Sequence, residues 1–124
     1  MKTYLKLNNI SAYKKALSLS NYVWEIIVKW DTFARDTLGK QFVRSVDSIS
    51  ANVAEGFGRY TKKDKTNFYR ISFGSIKESF DWNQKAKIRK LLSNEQYDYI
   101  LRELSDMPRE VNNLIRFTNE KLSK

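Results

Sequence analysis

The side chains of this sequence best suited to chemistry are basic. Arg59, Lys62, Lys63 and Lys65 fall within seven residues, with Tyr60 among them and Arg70 just beyond. Cations at that density can neutralise phosphates, and a tyrosine beside them can stack on an unpaired base. The competing reading is a solvated charged face with an ordinary surface tyrosine. A second basic cluster, Lys85, Lys87, Arg89 and Lys90, follows about twenty residues later, roughly 30 Å along a helix. Two basic ends, or repeated patches in an oligomer, fit this spacing better than one compact patch. A polar row, Gln41, Ser45, Ser48, Asn52 and Glu55, offers Glu55 as a general base with Asn52 orienting a substrate. The chain has no histidine and no cysteine, and no second carboxylate converges on Glu55, so that reading has little to work with. We expect no catalytic residues, no metal ligands and no cofactor. The polar row should instead face water or a neighbouring subunit.

Composition narrows the classes further. The 124 residues are 41% hydrophobic and 30% charged, enough for one domain with a real core spanning 1–124. One proline and four glycines are too few for a loop-rich all-β domain. Twenty-three Lys and Arg against 14 Asp and Glu give +9 and a pI near 9.8, which favours polyanionic partners. The charge is uneven: net +3 over residues 1–58, +7 over 59–90 and −1 over 91–124. The start lacks the apolar core of a signal peptide, and the most apolar stretch, Tyr22 to Trp30, is interrupted by Glu25 and Lys29. A cytoplasmic location is the expectation.

Helical periodicity supplies the elements that must position these groups. Leu19, Val23, Ile26, Ile27 and Trp30 predict a first helix over about 11–30. Asp31 to Lys40 reads as a corner with a helical turn. Phe42, Val46, Ile49 and Val53 predict a second helix over 40–56, ended by a left-handed cap at Gly56 or Gly58. Thr61-Lys62-Lys63-Asp64 is a capping signature for a third helix over 62–91. Its two apolar stripes, Tyr69-Phe73-Ile76-Phe80 and Phe68-Ile71-Ser75-Trp82, predict a wide buried face, and Ser72, Ser75 and Ser79 with Gly74 allow close helix approach. Ser93-Asn94-Glu95-Gln96 is a capping box opening a fourth helix over 94–121, with a kink or short break expected near Pro108. The fold class is therefore all-α, an antiparallel up-down-up-down four-helix bundle.

Asn52-Val53-Ala54-Glu55-Gly56-Phe57-Gly58-Arg59, preceded by Gln41, Arg44 and Ser48-Ile49, resembles the central signature of the bacterial four helix bundle protein family. Its members are also called ribosomal-protein-like or 23S rRNA intervening-sequence proteins. The block Phe68 to Glu78, with Ile71, Gly74-Ser75 and Glu78, is similar to that family's third helix. The resemblance covers about residues 10–120. Two departures are Phe33-Ala34 where the family often has Phe-Pro, and Val43-Arg44 where it has paired arginines. The resemblance implies a homopentamer with a central channel and no established catalysis. It marks Gln41, Arg44, Ser48, Asn52, Glu55, Gly56, Gly74, Ser75 and Glu78 as structural or subunit-interface residues.

The resulting expectation is a non-enzymatic, oligomeric basic bundle binding RNA or DNA through phosphate contacts at Arg59, Tyr60, Lys62, Lys63, Lys65 and Arg70. The alternative is a scaffold or adaptor whose partner is another protein. No membrane partner is expected.

Overall fold

The structure, a computed structural model, describes residues 6–122. Four long helices build it: α1 Ser11–Ile27, α2 Lys40–Phe57, α3 Lys62–Ile88 and α4 Asn94–Lys121. The described residues contain no strand. Each long helix packs on the next, and α1 closes on α4, which gives the expected four-helix bundle. The predicted stripes form its centre: Leu19, Phe42, Val46, Ile49, Val53, Ile76, Ile100, Leu104, Met107 and Val111 are almost wholly buried.

The caps act as their residue types suggest. The Thr61 side chain accepts from the Asp64 amide at 3.1 Å to open α3. Ser93 and Gln96 form a reciprocal capping box at α4, at 3.0 and 2.9 Å.

Three local features differ from the sequence expectation. Helices α1 and α3 stop at Ile27 and Ile88, three residues early. Trp30 and Leu91 still pack on the core, but from turns, since apolar burial does not require helical backbone. Neither Gly56 nor Gly58 is left-handed; Gly58 has φ −80°, and Lys90 at φ 61° is the one described residue with positive φ. There the Leu91 amide reaches back to the Ala86 carbonyl at 2.9 Å, closing α3 in the manner of a Schellman turn. Helix α4 runs without a break through Pro108, because burial of Met107 and Val111 on either side holds the segment against the core.

The first corner is more helical than its polarity implies. Asp31 caps a short helix, Thr32–Ala34, accepting from the Ala34 amide at 3.0 Å. A single π-helical turn, Arg35–Gly39, then feeds directly into α2. Gly39 lets this turn approach the end of α1: a Cβ there would lie 2.8 Å from Cγ2 of Ile27.

Helices α2 and α3 meet through hydroxyls. Ser79 donates to Ser45 at 2.9 Å, Ser75 to Ser48 at 2.9 Å, and Ser72 to the Ile49 carbonyl at 3.0 Å. Small side chains bring the two backbones close, and each of these hydroxyls finds a partner within the chain. Two of the five residues in the predicted polar row, Ser45 and Ser48, are thus used inside the bundle.

Candidate nucleic-acid interface

The basic corner sits where α2 hands over to α3. The Thr61 cap places Lys62, Lys63 and Lys65 in the opening turns of α3, at the positive end of the helix dipole. Such an arrangement is unfavourable for the helix and favourable for a bound anion.

The six predicted contact residues divide into two groups. Three are engaged within the protein. Arg59 pairs with Glu55 at 2.9 Å and lies over the Phe68 ring at 4.6 Å. Lys62 donates to the Asn119 carbonyl at 2.9 Å, tying the start of α3 to the end of α4. Lys65 donates to the Phe57 carbonyl at 2.7 Å, satisfying the end of α2, and burial holds its ammonium below the usual lysine range. The other three face outward. Tyr60 is 72% exposed. Lys63 and Arg70 are exposed and make no ion pair with a described residue.

Eight of the nine predicted interface residues follow the outer margin of the α2/α3 seam. Arg44 links Gln41 at 3.0 Å to Glu78 at 3.7 Å, and Glu78 also accepts from the Trp82 indole at 2.9 Å. Asn52 donates to the Ser48 hydroxyl, which also receives Ser75. Gly74 is exposed and a Cβ there would meet nothing within 4 Å, while neighbouring Ile71 is half exposed. Gly56 differs from the others, since it is buried against Tyr69.

Glu55 is occupied by Arg59, and no group of three potential metal ligands occurs among the described residues. Among the described residues, no helix is long and apolar enough to cross a membrane.

Sequence reasoning passed over Lys77, Arg102, Arg109 and Arg116. Lys63, Arg70 and Lys77 repeat every seven residues on α3, and the three arginines repeat every seven on α4. The signal was present in that spacing, but a net charge of −1 over residues 91–124 conceals it.

The sequence profile described as "23S rRNA-intervening sequence protein" matches residues 8–113. Among solved structures, a protein of unknown function from the S23 ribosomal protein family of Bacteroides thetaiotaomicron is similar, with a TM-score of 0.72 and 19% identity. The match covers 83% of this chain and 96% of that one. No curated protein matches the chain. Neither description names a reaction.

Proposed function

The chain belongs to the 23S rRNA-intervening sequence protein family, and from that premise we propose a non-enzymatic, homo-oligomeric bundle that binds nucleic acid by phosphate contacts. The observation that carries this reading is the pair Lys63 and Arg70, exposed and free of ion pairs within the most basic segment. Lys62, Lys65 and Arg59 contribute field rather than direct contacts, because each already holds a partner in the fold. The proposed assembly is the pentamer that the family resemblance implies, packed through the α2/α3 margin at Ile71, Gly74 and Ser75. A cytoplasmic location belongs to the same proposal.

Light scattering with and without mixed RNA, at low and moderate salt, tests this directly. A pentamer whose mass rises reversibly with RNA supports both parts. Lys63→Glu with Arg70→Glu should then abolish the gain and leave the pentamer intact.

A protein adaptor is the second reading, favoured by the exposed apolar side chains Trp24 and Phe33, 51% and 79% accessible. A pentamer indifferent to RNA that captures one protein after nuclease treatment would select it.

A further inference from the structure

We propose that the seam between α3 and α4 is a track for double-helical nucleic acid, gripped on both sides by a row of basic side chains. The inference rests on the phosphate-binding reading above and extends it from the corner along the bundle. Lys63, Arg70 and Lys77 on α3, and Arg102, Arg109 and Arg116 on α4, are all exposed. A step of seven residues returns nearly to the same side of a helix and climbs about 10.5 Å, so each row runs about 21 Å.

Contacts across the seam fix the register. Lys62 reaches the Asn119 carbonyl at 2.9 Å, and Asn83 donates to the Tyr97 carbonyl at 3.3 Å. Counting inward from these two pairs on antiparallel helices sets Lys63 nearly level with Arg116, Arg70 with Arg109, and Lys77 with Arg102. The two rows therefore form three rungs rather than two separate ends.

Carboxylates stand mostly aside. Tyr99 meets Tyr22 of α1, ring centroids 4.4 Å apart, and Glu103, Asp106 and Glu110 follow Tyr99 at steps of four, three and four on that α1 side. Asp106 touches Arg109 only loosely, at 4.0 Å, and Arg102 lies 5.7 Å from the Tyr99 ring. On α3, Glu78 and Asp81 are taken by Arg44 and Lys85. Asp98 and Glu120 remain on α4, beyond the two ends of its row, and Asp64 follows Lys63 on α3, where its backbone amide is held by the Thr61 cap.

Exposed rings are confined to one end of the track. Phe73 and Phe80 are partly buried against the core; Phe117, 41% exposed, lines a cleft with Ile10 and Phe57, and Tyr60 precedes the start of α3. Single strands are held by base stacking on exposed aromatics, whereas duplexes are held by phosphate contacts. The rungs Arg70–Arg109 and Lys77–Arg102, with no exposed ring beside them, match the duplex.

The test is fluorescence anisotropy of the full chain with a duplex RNA of about 20 base pairs, the same duplex in DNA, and one component strand, between about 50 and 200 mM salt. The wild type should prefer duplex to single strand. Arg109→Gln with Arg116→Gln should weaken duplex binding about tenfold or more and reduce the salt slope by about two. Circular dichroism should show the fold unchanged. If that pair leaves binding intact while Lys63→Gln with Arg70→Gln weakens it, the track is overturned and the corner stands. Preference for the single strand also overturns the track, and no binding of any probe overturns both readings.

Discussion

Gly56 and Tyr69 pack so closely that no side chain fits between them. A Cβ on Gly56 would stand 2.7 Å from Cε1 of Tyr69 and 2.9 Å from the Lys65 carbonyl. The ring is buried at 1% exposure and the carbonyl is backbone, so neither can yield cheaply. Gly56→Ala should destabilise the chain by about 1–3 kcal/mol in urea unfolding. Gly74→Ala is the contrasting case: open space and a helix interior predict a gain of about 0.5–1 kcal/mol.

Lys90 occupies the left-handed position that glycine fills best. Lys90→Gly should raise stability by about 1 kcal/mol, seen as an increase in Tm of about 3–5 °C. An unchanged Tm would mean that the Leu91 contact, and not the backbone conformation, determines how α3 ends.

Gly56 and the left-handed Lys90 illustrate what the sequence makes legible. Stripes such as Phe42-Val46-Ile49-Val53 announce their burial, because periodicity and core are one physical fact. The caps at Thr61 and Ser93 are equally readable, being local. Gly56 looks like a turn residue until the partner across the crossing is known. Lys90 looks like one more cation in a basic cluster. The candidate site follows the same division: Lys63 and Arg70 stand out in a basic run, whereas Arg109 gains meaning only from the register between α3 and α4. Lys62 and Lys65 also look available until the carbonyls they serve come into place.

Tyr69 makes stability depend on alkaline pH. Burial pushes its phenol from 10.0 up to about 12, against a smaller opposing effect of its hydrogen bond to Thr118. Between those values the unfolded chain binds fewer protons than the folded one, so stability falls as pH rises. Tyr22, raised chiefly by burial, adds in the same sense. Lys65 opposes both, because burial lowers its pKa and the unfolded chain then holds more protons just below 10.5. Tyr69→Phe should flatten the decline in Tm between about pH 10 and 12 and leave the neutral range unaffected by ionisation. An equally steep decline in the variant would assign it to other groups.

The proposed assembly makes a separate prediction at Gly74. Gly74 is exposed and a Cβ there meets nothing within 4 Å, so Gly74→Trp should fold normally. Placed on the α2/α3 margin, it should block subunit packing and reduce the mass from five times 14.7 kDa to 14.7 kDa in light scattering. A variant that keeps the wild-type mass would place the subunit contact on another face.

The π-helical turn at Arg35–Gly39 gives the first corner one residue more than an even helix would hold. Ala34, Leu38, Phe42 and Val46 are all buried, although steps of four drift about 40° each around an α-helix. The wider turn absorbs that drift and keeps the four side chains on the core. Deleting one residue between 35 and 39 would leave seven steps from Ala34 to Phe42, about 700° in an even α-helix and only about 20° short of two full turns, so Ala34 would stay on the core side. The turn is thus a splice that can give up one residue, whereas a deletion inside α2 would rotate everything before it by about 100° against the core.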